Sequence, residues 1–110
     1  MFDFKRTYRL LKKAEFDQVF ECAKKLGTHD FIVLYKKNQF NHARLGFAIA
    51  KKTIAKAHDR NRIKRLIRES FRKTKLPAVD IVFLAKHGVS MQNNKHIFSS
   101  LDKTWEKLSK

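Results

Sequence analysis

The segment from Arg60 to Arg72, RNRIKRLIRESFR, holds the residues whose types and spacing best suit a chemical role. It contains five arginines and one lysine against a single acid, Glu69. A planar guanidinium can donate two hydrogen bonds to one phosphate and can also stack on a base. Solvated helix faces usually mix Glu with Lys so that residues four apart form ion pairs. This segment has only Glu69 to pair with its six cations. The pattern therefore favours a nucleic-acid-binding helix over an ordinary solvent-exposed charged helix.

Apolar residues run through the same segment at helical spacing. At 100° per residue, Ile63, Leu66, Ile67 and Phe71 fall on one face, which predicts an amphipathic helix from about Arg60 to Lys73 with Asp59 as its N-cap. The opposite face carries a polar stripe with cationic flanks: Asn61, Arg65, Arg68 and Arg72, flanked by Arg60, Arg62 and Lys64. The helix is thus expected to be held by its apolar side and to offer its guanidinium groups outward.

The residues before this helix extend the basic patch. The segment AKKTIAKAHD adds Lys51, Lys52 and Lys56, and the free N–H groups of a helix N-terminus add positive potential.

A second surface is suggested by Phe16 and Phe20, which could stack on unpaired bases with Tyr35 beside them. Aromatic residues at helical spacing more often belong to the core, so pattern alone leaves both interpretations of these residues open.

Composition points to the same class of partner. Twenty-six Lys and Arg against ten Asp and Glu give a net charge of +16 and a pI near 10.4, which is typical of proteins that bind a polyphosphate. A hydrophobic fraction of 43% with ten Phe argues against a disordered basic tail. The length predicts one domain, residues 1–110.

The cellular setting follows from what the sequence lacks. Cys22 is the single cysteine, so an intrachain disulfide cannot form and a reducing compartment fits. Neither a signal peptide nor an apolar stretch long enough to span a bilayer is evident. We expect a cytoplasmic protein without a membrane partner.

Protein-based catalysis is not predicted. A protein nuclease needs clustered carboxylates for metal ions or a paired general acid and base. The ten acids are scattered, and the histidines (29, 42, 58, 87 and 96) show no metal-ligand spacing. We therefore predict neither a catalytic residue nor a metal site in the protein itself.

The remaining pattern predicts a small α/β sandwich. A short helix is expected over about Lys13–Cys22, a turn at Leu26–Asp30, and strands at Asp30–Lys37 and Arg44–Lys52. Small residues in the last of these, Gly46 and Ala48, leave room for close packing. The apolar run Asp80–Gly88 predicts a buried central strand parallel to a neighbour, followed by a closing helix from about Asn94.

Three segments carry a family resemblance: RLLKKAEFDQVF, RLGFAIAKKTIAKAHDRNRIKRLIRESFR and LPAVDIVFLAKHG. Together they resemble the bacterial ribonuclease P protein subunit, over about Tyr8–Leu108. The resemblance implies a single RNA-binding domain with the order α-β-β-β-α-β-α. It would have a mostly antiparallel sheet of about four strands, three helices and a left-handed βαβ crossover, against the usual handedness.

The resemblance also implies an activity, removal of the 5′ leader from precursor tRNA. The family's RNA subunit cleaves the phosphodiester bond and requires Mg²⁺, whereas the protein binds no cofactor alone and is monomeric, one copy per RNA. Residues matching the RNA-subunit contacts are Lys51, Lys52, Lys56, Arg60, Asn61, Arg62, Lys64, Arg65, Arg68 and Arg72. Residues matching the leader-binding cleft between the first helix and the sheet are Phe16, Phe20, Val33 and Tyr35. Ala23 and Ala55 stand where many relatives have Gly, so the adjoining turns are expected to differ locally.

Two other functions stay open from the residues alone. One is a structural RNA-binding module resembling a ribosomal protein. The other is a DNA-binding regulator that inserts the Arg-rich helix into a major groove, although a strand rather than a partner helix precedes it.

Overall fold

A four-stranded mixed sheet forms the centre of the fold, as seen in a computed structural model that describes residues 17, 19–21 and 23–109. The strands are β1 (Lys24–Gly27), β2 (Phe31–Lys37), β3 (Arg44–Phe47) and β4 (Val79–Ala85), in the spatial order β1-β2-β4-β3. Strand β2 pairs antiparallel with both β1 and β4, whereas β3 and β4 are parallel. The apolar run predicted to be a central strand with a parallel neighbour is confirmed as β4.

Two long helices accompany the sheet. The Arg-rich helix (Ala57–Arg72) connects the parallel strands β3 and β4, and the C-terminal helix (Asn94–Leu108) follows a short 3₁₀ turn at Val89–Met91. Neither is long and apolar enough to cross a bilayer, nor is any other helix in the described part of the chain.

The main core lies between one face of the sheet and these two helices. Side chains alternate between the two faces of a strand, so Phe31 and Val33 of β2 point to the helices together with Ile81 and Phe83 of β4. Trp105 of the C-terminal helix packs edge-on against Phe83 and Phe71. Its indole N–H donates to Ser70 Oγ at 2.7 Å, which ties the two helices together inside the core.

The other face of the sheet carries a smaller cluster. Val19 and Val82 are buried against each other, with Ala23, Leu34, Ala48 and Leu84 around them. Asp17, Val19, Phe20 and Glu21 are helical, and the remainder of the predicted helix at 13–22 lies outside the described residues. Val19 packs where the small residue Ala48 was predicted to leave room.

Several element bounds differ from the sequence-based predictions, among them the end of β4, which lies at Ala85 rather than Gly88. Strand β1 includes Leu26 and Gly27, where a turn was expected, and β3 ends at Phe47 rather than Lys52. The chain turns after β3 because the side chain of Ile54 enters the core, with the Thr53 and Ile54 amides donating to the Ala50 carbonyl. The Arg-rich helix consequently begins at Ala57 with Lys56 as N-cap, so the assignment of Asp59 as N-cap is wrong; Asp59 lies in the first turn.

Candidate RNA-binding surface

The Arg-rich helix is oriented as the wheel predicts. Its buried residues are Ile63, Leu66, Ile67, Ser70 and Phe71, and they face the sheet and the C-terminal helix. On the opposite side Asn61, Arg65 and Arg72 are exposed, and Lys64 is half-buried. Packing of the apolar face therefore fixes the direction in which the charged side chains project.

Arg60 shapes the loop that precedes the helix. One of its Nη atoms donates to the carbonyl oxygens of Ile54 and Ala55, each at 2.9 Å. The side chain of Ile54 is also buried in the core. Core packing and the Arg60 hydrogen bonds therefore both fix the part of the loop just before the helix. Lys51, Lys52 and Lys56 are exposed on this loop. We call these three lysines together with Asn61, Lys64 and Arg65 the basic surface.

Arg62 is committed to a contact within the fold. Its guanidinium donates to Asn94 Oδ1 from Nε at 3.1 Å and from Nη2 at 2.7 Å. It also donates to the carbonyl oxygens of Ser90 at 3.3 Å and Gln92 at 2.7 Å. The guanidinium group predicted to bind phosphate thus also joins the Arg-rich helix to the start of the C-terminal helix. A direct contact of Arg62 with RNA stays a prediction.

Arg68 differs from its predicted outward position. It is half-buried, its guanidinium carbon lies 5.1 Å from the centre of the Phe47 ring, and its Nε is shielded from solvent. The wheel placed this residue in the polar stripe, and the aromatic ring at the end of β3 accounts for the inward turn of its side chain. A guanidinium over an aromatic face is attracted by the ring quadrupole.

The acids nearest the basic surface pair elsewhere. Glu69 forms an ion pair with Lys73 at 3.8 Å, and Asp59 lies 3.3 Å from His58 Nε2. In the described part of the chain, Lys51, Lys52, Lys56, Lys64 and Arg65 form ion pairs with no carboxylate. The hydrogen bonds of Arg60 go to neutral carbonyls, which leave its charge uncompensated. The positive charge of the basic surface is thus not compensated by carboxylates among the described residues.

The predicted leader-binding residues divide between two faces of the sheet. Phe20, next to the buried Val19, has 48% of its surface exposed and lies on the side of the smaller cluster. Phe16 lies outside the described residues. Val33 has no exposed surface, and Tyr35 shares its face and packs on the main core. The assignments of Val33 and Tyr35 to a cleft beneath the first helix are therefore corrected, because alternation sends Ile32, Leu34 and Lys36 to that side.

A cavity on the first-helix side adds residues that sequence reasoning missed. Its volume is about 510 Å³, and it is bordered by Val19, Lys36, Lys37, Asn38, Gln39, Phe40, Arg44 and Asp80. Phe40 is 50% exposed, and the Arg44 guanidinium carbon lies 4.2 Å from the centre of its ring. The signal was present in the loop NQFNHA, where a large apolar residue stands among turn-forming asparagines.

Arg44 is held rigidly at the edge of this cavity. Its Nε donates to Asp80 Oδ1 at 2.8 Å and its Nη2 to Asp80 Oδ2 at 2.7 Å. Asn38 Nδ2 donates to the same Oδ1 at 2.8 Å. Two neighbouring strands, β3 and β4, supply the pair in directly opposed positions. The cavity therefore combines an exposed aromatic ring with cationic side chains on a fixed strand framework.

Comparison with known proteins gives a consistent result along nearly the whole chain. The sequence model of the family Ribonuclease P matches residues 4–109. The ribonuclease P protein component of Legionella pneumophila (strain Lens) is 62% identical over 99% of this chain and 96% of the relative. That of Haemophilus influenzae (strain PittGG) is 44% identical over 96% of this chain and 90% of the relative.

Solved structures agree with the sequence relatives. A Staphylococcus aureus RNase P protein mutant with defective mRNA degradation activity superposes with a TM-score of 0.86 at 30% identity, covering 93% of this chain and 88% of the other. The RNase P protein from Thermotoga maritima gives 0.82 at 29% identity, covering 93% and 98%. The chain therefore belongs to the family of ribonuclease P protein components, subunits of an endoribonuclease of tRNA processing.

Proposed function

We propose that this chain binds the ribonuclease P RNA through the basic surface and holds the 5′ leader of precursor tRNA on the first-helix side of the sheet. The RNA subunit then removes the leader. The proposal depends mainly on the basic surface, whose five cations, four exposed and Lys64 half-buried, have no carboxylate partner among the described residues. Because the chain belongs to the family of ribonuclease P protein components, the RNA proposed to bind this surface is the ribonuclease P RNA.

The work of the protein in this proposal is electrostatic. Folding an RNA brings phosphates together, and cations at their junction lower that repulsion and favour bound Mg²⁺. Each phosphate contact should contribute roughly 0.7 to 0.9 units to the slope of log K against log salt. The bond-breaking step and its Mg²⁺ belong to the RNA, with one copy of the protein per RNA in the cytoplasm.

Leader binding is proposed for Phe20, Phe40 and Lys36. A single-stranded segment is bound well where aromatic rings offer stacking surfaces beside cationic side chains, and each stacked base contributes about 1–3 kcal/mol. Phe20 and Phe40 are both about half exposed, and Val19, the neighbour of Phe20, lines the same cavity as Phe40 and Lys36. A leader lying across this face would meet both rings.

Reconstitution tests the proposal. The full chain is mixed with ribonuclease P RNA and precursor tRNA at a Mg²⁺ concentration too low for the RNA alone, and 5′ cleavage is scored. We expect strong stimulation by the protein and no cleavage without the RNA. Cleavage by the protein freed of all RNA would overturn the assignment of the chemistry.

The same binding data separate the two alternative functions. A structural RNA-binding module would bind unrelated RNA as tightly as ribonuclease P RNA and would not stimulate cleavage. A DNA-binding regulator would prefer duplex DNA over both. Either result would overturn the proposal.

A further inference from the structure

His29, Asp30 and His96 come together at the end of the sheet where β2 begins. His29 and Asp30 lie in the turn between β1 and β2, and His96 lies in the first turn of the C-terminal helix. His29 Nδ1 is 3.1 Å from Asp30 Oδ1, and His96 Nε2 is 2.9 Å from Asp30 Oδ2. One potential ligand atom from each residue lies within 4.8 Å of the other two.

Two atoms of this cluster are buried without a hydrogen bond. Asp30 is 2% exposed, and both its Oδ2 and His96 Nε2 are shielded from solvent. These two atoms lie 2.9 Å apart and form an ion pair only when His96 is protonated, and neither has another partner among the described residues. A buried polar atom left unpaired is costly. A cation placed between the two lone pairs would satisfy both.

We propose that His29, Asp30 and His96 bind a divalent transition metal ion, Zn²⁺ in preference to Mg²⁺. Two imidazole nitrogens and one carboxylate oxygen are a ligand set that suits Zn²⁺, whereas Mg²⁺ prefers oxygen ligands alone. In a tetrahedral site with bonds of about 2.0–2.2 Å, ligand atoms stand about 3.3–3.6 Å apart. The 4.8 Å spread therefore requires a small inward rotation of one side chain. His29, with 77% of its side chain exposed, is free to make it.

The backbone around the other two ligands is already fixed. The Asp30 carbonyl accepts a hydrogen bond from the Lys86 amide at 2.9 Å, and the His96 amide donates to Asn93 Oδ1 at 2.8 Å as part of the helix cap. Both ligands are thus placed by contacts that exist without the ion. To bind the ion, the surface histidine must close in, and the Asp30 and His96 ligand atoms, now 2.9 Å apart, must separate by roughly half an ångström.

A fourth coordination position would face a cavity of about 290 Å³. The cavity is bordered by Thr28, His29, His96, Ser99, Ser100, Lys103 and Lys107. Its two lysines repel a free cation, which should keep the affinity moderate. The same lysines favour a water or hydroxide as the fourth ligand, because either carries negative charge density toward them.

Metal titration of the full chain tests this inference. After treatment with a chelator, the protein is titrated with Zn²⁺ by calorimetry, and Co²⁺ is used to follow ligand-field absorption typical of a tetrahedral site. We expect one ion per chain, a raised melting temperature and a tetrahedral Co²⁺ spectrum.

Two variants and one control locate the ion. His29→Ala removes an exposed ligand with little effect on the fold, and His96→Ala removes the second imidazole. Each should weaken Zn²⁺ binding at least tenfold and abolish the Co²⁺ spectrum. His58→Ala, which removes an exposed histidine that is not part of the cluster, should bind as the parent does. Failure to bind one ion per chain, or binding that is unchanged in both ligand variants, would overturn the proposal.

Discussion

Arg68 lies against Phe47, with its guanidinium carbon 5.1 Å from the ring centre, so one member of the arginine stripe is part of the packing between helix and sheet. Its neighbour Arg65 is exposed, with no partner among the described residues. Two arginines three residues apart on one helix thus have different physical roles. Their substitutions should separate RNA affinity from protein stability.

Arg65→Ala should weaken binding to ribonuclease P RNA without changing the melting temperature. It removes one exposed charge, so the salt slope should fall by about 0.7–0.9 units if that charge meets a phosphate. Filter binding at several salt concentrations measures the slope, and circular dichroism measures the melting temperature. A large drop in the melting temperature would show that Arg65 holds the fold rather than the RNA.

Arg68→Ala should lower both the affinity for ribonuclease P RNA and the melting temperature. Loss of the contact with Phe47 removes about 0.5–2 kcal/mol of cation–π interaction together with the packing of the side-chain stem. Arg68→Lys keeps the charge and is expected to recover part of the RNA affinity but little of the stability. An Arg68→Ala variant as stable as the parent would contradict this account.

Arg62→Ala should be mainly a stability variant. The side chain donates four hydrogen bonds to the segment at Ser90, Gln92 and Asn94. Hydrogen bonds from a charged donor contribute about 1.5–3 kcal/mol, which in a domain of this size lowers the melting temperature by roughly 10 °C. Urea unfolding gives the free energy, and Lys64→Ala on the same helix is the matched control. Equal stability of the two variants would show that the hydrogen bonds of Arg62 do not stabilise the fold.

The sequence was sufficient for the parts of the fold that rest on periodicity. The buried face of the Arg-rich helix, the central position of β4 and its parallel neighbour all follow from apolar spacing and run length. The helix start could not be predicted from Asp59, because burial of Ile54 and the Arg60 contacts with its loop set that boundary. Both are tertiary effects.

The candidate sites show the same division. The residue types were enough to identify the basic surface. The hydrogen bond from Arg62 to Asn94 could not be predicted, because the two residues are distant in sequence. Strand alternation could have shown that Val33 and Lys36 face opposite sides, but which side meets the first helix required the packing of Val19 on Val82. The cluster of His29 and His96 has no sequence signature, because the fold alone brings these elements together.

Asp80→Ala should destabilise the protein strongly. Asp80 accepts two hydrogen bonds from Arg44 and one from Asn38, and the Arg44 and Asp80 side chains are only 11% and 12% exposed. Asp80→Ala removes the carboxylate that accepts two hydrogen bonds from a largely buried guanidinium, and breaking a buried ion pair in this way costs about 3–5 kcal/mol. The double variant Arg44→Met/Asp80→Ala removes both charges and should recover part of that loss in chemical denaturation. A double variant less stable than Asp80→Ala would show that Arg44 is stabilised by other contacts.

Phe20→Ala and Phe40→Ala should reduce the affinity for precursor tRNA more than that for mature tRNA, if the leader lies across the first-helix side of the sheet. Both rings are about half exposed, so their removal should cost little stability. Loss of one stacked base corresponds to about 1–3 kcal/mol, or roughly 5- to 150-fold in affinity. Holoenzyme binding to the two tRNA forms measures the difference.

Val33→Ala is the matched control for these two variants. Its side chain is fully buried on the opposite face, so truncation should lower the free energy of unfolding by about 2 kcal/mol. Because the cavity it leaves lies inside the main core, the folded variant should keep the parent's preference for precursor over mature tRNA. A selective loss of precursor binding in Val33→Ala, with none in Phe20→Ala or Phe40→Ala, would place the leader on the other side of the sheet.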